Sequence, residues 1–379
     1  MKPGRILIAF LLVSLIAPGT APVPLGTSGD IAAASFLSDG ASVRVSESSV
    51  DGQGNNGSSR PAISASGRFV AFVSDATNLV DLDGDSDYDD DVNGHADVFL
   101  YDRHQDTTRL VSVTASGVQA NGTSNAGPPA ISGDGRYVVF ATQATNLATA
   151  KTNPFEWDVV RWNRLTGSFD LVSVKLTGGG AGFNSGQPTI SNDGNLVAFD
   201  SSSAQLVPAD PGAFPEVFVR DMAGGITSRV SAPNSTTVQP NGNSSNATIS
   251  SDGRYVSFHS TASDLITGDT NGTRDVFVRD LQTQATVRAS VDQTGAQFTS
   301  YNSSNAGISG TGNLISFARI TFSGTPSVHV WVRASGKSFP VTPSDYGGGQ
   351  LSADGRWLAY KGSATWDRQL YVKDLWTQG

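Results

Sequence analysis

Residues Thr248–Asp280 read TISSDGRYVSFHSTASDLITGDTNGTRDVFVRD. The opening Thr248, Ile249 and Ser250 meet the turn formers Ser251, Asp252 and Gly253, and then comes RYVSF, a short apolar and aromatic run. That order predicts a strand, a tight turn and a second strand. A polar loop holding Asp269, Asn271 and Gly272 leads into DVFVRD, Asp275–Asp280, whose β-branched and aromatic residues predict a third strand. The alternating TVRASV, Thr286–Val291, supplies a fourth. One unit is a four-stranded meander.

The unit is written six times. Its first turn recurs at AISASGRFVAF from Ala62, AISGDGRYVVF from Ala130, TISNDGNLVAF from Thr189, GISGTGNLISF from Gly307 and QLSADGRWLAY from Gln350. The anchors Ile63, Ile131, Ile190, Ile249, Ile308 and Leu351 are separated by 68, 59, 59, 59 and 43 residues. Such steps hold one supersecondary unit each and are too long for a heptad or a leucine-rich repeat. Third strands align too, from DVFLYD at Asp97 to RQLYVKD at Arg368.

These units resemble the WD40-like propeller repeat of the TolB type, which has an S-x-D-G turn between its first two strands and an aromatic-x-x-D end to its third. The Asp-Gly pair is intact at Asp134, Asp193, Asp252 and Asp354, while Ser66 and Thr311 precede the glycine in the first and fifth units. The resemblance implies an all-β, six-bladed β-propeller over residues 41–379. The physical argument agrees, because meanders with two apolar faces bury both by stacking side by side in a ring. ASVRVSE, Ala41–Glu47, reads as a fourth strand with no first three before it, and the last unit ends after its third. Ser42–Ser46 is therefore expected to complete the sixth blade and close the ring, since a free strand edge invites aggregation.

Lys2 and Arg5 precede a predominantly apolar run, Ile6–Ala17, followed by Pro18, Gly19, Thr20 and Ala21. This is the layout of a secretory signal peptide over residues 1–21, too short for a bilayer span of about 20 residues. Pro22 and Pro24 disfavour cleavage after Ala21, and Ala32–Ala34 offers a later site. Residues 22–40 have linker composition. A secreted or periplasmic location is expected, and the TolB resemblance implies a periplasmic protein with envelope partners, although the α/β domain that precedes TolB's propeller finds no room here. There is no cysteine, so the fold does without disulfides. The formal charge is −9, and −11 without Lys2 and Arg5. With no basic stripe, that balance argues against nucleic acid or an anionic membrane as partner. A monomer is expected, with no membrane insertion after signal cleavage.

The densest local signal is DLDGDSDYDDDVNGHAD, Asp81–Asp97, with eight aspartates among seventeen residues. Asp89, Asp91, Asn93 and Gly94 have the D-x-D-x-N-G spacing of a calcium loop, and Asp97 falls at its ninth position. The twelfth position is Leu100 and a strand follows, so the loop is no EF-hand. Calcium held by Asp89, Asp91, Asn93 and Asp97 is one reading, and a solvated acidic loop is the other. In the fourth unit Asp269, Asn271, Gly272 and Asp275 repeat the end of the spacing, where they read as organisers of a turn.

In a four-stranded blade, the second-to-third strand loops and the links between blades leave on one face. That face gathers Tyr88, Phe155, Trp157, Phe214 and Trp366 from loops, and Phe183, Phe298 and Tyr301 from links. Trp157, Phe155, Phe214, Tyr301 and Trp366 are the candidates to stack on a sugar or grip a protein or peptide. The other reading is that such rings pin long loops. Catalysis finds little support: there are four histidines, His95, His104, His259 and His329, and no G-x-S-x-G elbow. The preferred reading is a non-enzymatic binding or scaffold propeller. Its alternative, a metal-assisted polysaccharide lyase or a hydrolase or lactonase, would need Asp200 and His259 to converge with the acidic loop at the ring's centre.

Overall fold

A computed structural model describes residues 43–47, 52–82, 90–212, 214–234, 239–299, 301–321, 327–341, 349–361 and 370–376. The chain divides into an N-terminal stretch, Met1–Arg44, and a compact unit, Val45–Gly379. The signal and linker readings, the candidate ligand Asp89 and the aromatic Trp366 lie outside the described residues.

Val45–Gly379 is an all-β, six-bladed propeller. Blade one is formed by Ser58–Ile63, Phe69–Ser74, Asp97–Asp102 and Thr107–Leu110. Blade two comprises Ala130–Ile131, Tyr137–Thr142, Asp158–Asn163 and Phe169–Leu171, and blade three Ser185–Ile190, Leu196–Ser201, Glu216–Asp221 and Ile226–Arg229. Blade four holds Ser244–Ile249, Tyr255–Ser260, Asp275–Asp280 and Ala285–Arg288, and blade five Tyr301–Ile308, Leu314–Thr321, Ser327–Val332 and Lys337–Pro340. Each is an antiparallel meander with strands in sequence order. Blade six has three described strands, Gln350–Leu351, Trp357–Lys361 and Leu370–Asp374.

The repeated motifs have local causes. In the S-x-D-G turns, Asp134 accepts a hydrogen bond from Ser132 Oγ at 2.7 Å and from Arg136 N at 2.8 Å, and Gly135 takes φ +69°. The aspartate that ends the third strand pairs across its blade with the residue after the glycine: Arg68 with Asp102 at 2.6 Å, Arg254 with Asp280 and Arg356 with Asp374 at 2.8 Å. Between them sits a repeated ring pair, Phe72–Phe99, Phe199–Phe218 and Phe258–Phe277, with centroids 5.7 to 5.9 Å apart. These rings are buried and make the apolar layers that blades share.

Backbone bonds link the turns from blade to blade: Ala65 N to Gly133 O, Gly133 N to Asn192 O, Asn192 N to Ser251 O, Asp252 N to Gly310 O and Gly310 N to Ala353 O, at 2.8 to 3.1 Å. All six blades stand in one series. Of the segment expected to close the ring, Val45 packs on Phe72, Ala76 and Leu79 of blade one as Val111 packs on the matching residues of blade two. Glu47 pairs with Gln53 as Val113 pairs with Gln119. Thus the chain enters blade one as if from a preceding fourth strand; the strand itself is not among the described elements.

Candidate functional site

The first strands of all six blades surround a central cavity of about 680 Å³, with Ile63, Ala130, Thr189, Thr248, Ala306 and Gln350 among its walls. Four of these strands are bulged, with register shifts inside Ser59–Ala62, Gly186–Thr189, Ser245–Thr248 and Ser304–Gly307. Arg60, Gln187 and Asn246 take left-handed φ of 57°, 50° and 54° there. A bulge leaves backbone groups outside the ladder and re-aims a side chain. Gln187 and Asn246 are aimed at the channel, and Arg60 donates to Asn125 O of the next link.

One bulge holds the two residues on which a catalytic reading would depend. Asp200, on the second strand of blade three, accepts Asn246 N at 2.8 Å and Ala247 N at 3.5 Å, both freed by the bulge in blade four. His259 Nε2 meets Ser245 Oγ at 2.8 Å. Burial pushes the Asp200 carboxyl up to about 7 against the two N–H bonds that favour its charge, so it holds a proton through much of the acid range. Burial, with the charge of Arg274, pushes His259 down to about 4 and leaves its imidazole neutral. Asp200 and His259 therefore flank one bulge. The described acidic-loop residues are not with them, and among the described residues no three His, Cys, Asp or Glu side chains gather round a point.

Beside this bulge is a smaller cavity of about 240 Å³, lined by Trp157, Asn184, Gln187, Asp200, Pro215 and Ser245 among others. Gln187 borders both cavities, so this hollow adjoins the central one between blades two and four. Asn184 Oδ1 accepts Trp157 N at 3.2 Å and Trp157 O accepts Ser185 N at 2.8 Å, which ties the tryptophan loop to the following link. An indole, two amide side chains and a carboxyl converge there. Repeat reading found Trp157 as a loop aromatic and noted Asp200, but missed Gln187 and Asn246. The signal was present as a polar residue three places before four of the six anchors, Arg60, Gln187, Asn246 and Asn305.

The other aromatic candidates part company. Phe155 is 85% exposed and lines neither cavity. Phe214 is half-buried, and its carbonyl accepts Gln239 Nε2 at 3.4 Å. Tyr301 lies under the Arg319 guanidinium at 3.7 Å and edge-on to Phe298 at 6.3 Å, which makes it a pin between strands. The inter-blade asparagines are staples too: Asn121 and Asn241 each bond both the backbone N–H and the hydroxyl of Thr145 and Ser263.

In blade one, Asp91 and Asp97 are buried at the loop's end. Asn93 donates to Asp97 Oδ2 at 2.7 Å and to Ala120 O at 3.2 Å, while its Oδ1 accepts His95 N at 2.8 Å. Asn271 does the same in blade four, with Asp275, Phe298 O and Thr273 N. Burial, then the neighbouring Asp97, raises the Asp91 carboxyl to about 7, and burial raises Asp97 to about 6.

Fold and cavities together define a six-bladed propeller with a recess beside its central cavity, lined by strand ends and loops. No protein-family model matches the chain, and no curated protein matches it in sequence. Among solved structures it is similar to oligogalacturonate lyase in complex with manganese, at 11% identity over 83% of this chain and 73% of that one, with a TM-score of 0.53. The Vibrio parahaemolyticus oligogalacturonate lyase gives 10% identity, 83% and 74% coverage and 0.51. TolB from Acinetobacter baumannii gives 15%, 77% and 55%, with 0.43, so the chain spans about half of that protein's length. Likeness at such identities establishes the fold alone, which is the propeller that the repeat motifs implied.

Proposed function

We propose that this chain is an exported, non-enzymatic recognition module that takes a segment of protein, peptide or glycan in the recess beside its central cavity. The observation that carries the reading is the convergence of Trp157, Asn184, Gln187 and Asp200 on one recess, held by bulged strands. An aromatic face beside amide and carboxyl groups stacks on a sugar or peptide plane while the polar groups set its orientation. Export rests on Lys2, Arg5 and the apolar run of residues 6–17; among the described residues no helix is long and apolar enough to cross a membrane.

A lyase or hydrolase acting through Asp200 and His259 is less well supported, because both side chains are engaged by one bulge. The deciding experiment is a glycan and peptide array probed with the wild type and with Trp157→Ala and Gln187→Ala. A hit whose affinity falls at least tenfold in either variant supports recognition in the recess. Hits that survive both substitutions, or turnover of a polysaccharide that Asp200→Asn abolishes, refute it. Cell fractionation with and without residues 1–21 tests export.

A further inference from the structure

The carboxylate that opens the third strand is buried in blades one to four, as Asp97, Asp158, Glu216 and Asp275. In blades two to four it has a buried cation beside it. In blade four Arg288 lies 3.3 Å from Asp269 Oδ1 and 3.9 Å from Asp275 Oδ2, and it donates to Gln297 Oε1 and, at 3.5 Å, to Gly268 O. In blade three Arg229, at the same register position, lies 3.1 Å from Asp210 and 2.7 Å from Glu216. Blade two reaches the same balance by another route: Lys151 donates to Asp158 Oδ2 and Asn153 O at 3.0 Å and to Glu156 O at 2.6 Å. Blade five has neither charge, because Ser327 and Pro340 stand where blade four has Asp275 and Arg288. In blades two to five, carboxylate and cation are present together or absent together.

Blade one breaks the rule. Phe99 pairs with Leu110 as Phe277 pairs with Arg288, so a leucine stands where the guanidinium would be. Yet the acceptors of that guanidinium all have counterparts: Asp91 for Asp269, Asp97 for Asp275, Gln119 for Gln297 and Asp90 O for Gly268 O. The two glutamines hold the same place, since Gln119 pairs with Val113 as Gln297 does with Val291. Gln119 Oε1 accepts Val92 N at 3.3 Å while its Nε2 donates to Asp90 O, so that carbonyl keeps one lone pair for a further partner, and Gln297 Oε1 accepts Thr270 N at 3.4 Å. Asp91 is 3% exposed, and among the described residues its buried Oδ1 has no hydrogen-bond partner. Among the described residues no lysine or arginine pairs with Asp91 or Asp97, and the rest of the loop, residues 83–89, contains neither residue type. Two buried like charges with an unmet oxygen call for a cation from outside.

We propose that blade one binds a divalent cation, calcium by its all-oxygen donors, in the place that an arginine fills in blades three and four, with Asp91, Asp97, Gln119 Oε1 and the Asp90 carbonyl as ligands. Calcium takes about six to eight oxygens, so water completes the shell. The ion acts as a removable counter-charge that joins the long loop of blade one to the following link. This site is separate from the recess beside the central cavity and stands or falls independently of the recognition reading.

The test is calorimetric titration of chelator-treated full chain with calcium chloride, with thermal unfolding measured in parallel. The wild type is expected to bind one calcium saturably and to melt at a higher temperature when loaded. Asp91→Asn is expected to lose at least tenfold in affinity. Leu110→Arg supplies the missing guanidinium, so it should abolish the calcium heat while raising the melting temperature in chelator toward that of the loaded wild type. No saturable heat in the wild type overturns the proposal. So does calcium binding that Leu110→Arg and Asp91→Asn both leave unchanged, which would place the ion elsewhere. Magnesium binding as tight as calcium binding would overturn the choice of metal.

Discussion

Gly135 is expected to be among the least replaceable residues of the ring, and Gly135→Ala measures how tightly the blades interlock. Its φ is +69°, and an added Cβ would lie 2.1 Å from Phe69 Cδ2 of the preceding blade. Phe69 has little room to retreat, since it is buried and its ring faces the guanidinium groups of Arg164 at 4.4 Å and Arg68 at 4.7 Å. The left-handed backbone costs an alanine about 1–2 kcal/mol. Overpacking a buried ring adds about 1–3 kcal/mol, for a total of about 2–5 kcal/mol. Gly336 separates the two contributions, because its φ is +66° but nothing lies within 4 Å of a Cβ there. Urea unfolding at fixed m should therefore show Gly135→Ala well below the wild type and Gly336→Ala lower by the backbone cost alone. Phe69→Leu in the Gly135→Ala background should recover part of the difference. Equal losses at the two glycines would refute the claim that this turn is wedged against its neighbour.

Asp200 makes stability depend on pH. Its folded carboxyl titrates near 7 against an ordinary 3.8, so the folded chain keeps a proton that the unfolded chain releases. The contribution is present below about 4 and is lost as pH rises to about 7. At about 1.4 kcal/mol per tenfold change the upper bound is about 4 kcal/mol, and Asp200→Asn should flatten that part of a denaturation profile; an unaltered slope would dismiss the effect. Lys151→Ala leaves Asp158 buried without its cation and is expected to cost about 3–5 kcal/mol, much of it recovered by adding Asp158→Asn. Urea midpoints of the single and double variants check this, and simple additivity would count against a buried pair. Phe155→Ala should change stability by less than about 0.5 kcal/mol, since the ring is 85% exposed; a larger loss in the melting curve would show that the ring pins its loop.

Much of the molecule was legible from repetition. The S-x-D-G turns are short-range devices whose serine, aspartate and glycine satisfy one another within a few residues, so their spacing marks the first hairpin of four blades outright. The apolar anchors and repeated phenylalanines likewise announce blades. Candidate sites were less legible. Trp157 and Tyr301 look alike in sequence, yet one borders a recess and the other lies beneath Arg319. The difference comes from Arg319 on the next strand, which the antiparallel register sets opposite Ser303. Asn93 reads as a calcium ligand and Asn271 as a turn organiser, yet both bond the carboxylate four residues on.

By itself, then, the sequence determined the number of blades, the meander within each and the face to which long loops belong, because these depend on periodicity and on turns closed by near neighbours. Tertiary structure alone decided what faces what. Leu110 is an ordinary apolar residue until its pairing with Phe99 sets it at the register position of Arg229 and Arg288. Gln187 and Asn246 are loop-like polar residues until bulges turn them to the axis. Cross-strand register and the approach of one blade to the next join residues tens of positions apart, and no local pattern records the charge balance or the recess that results.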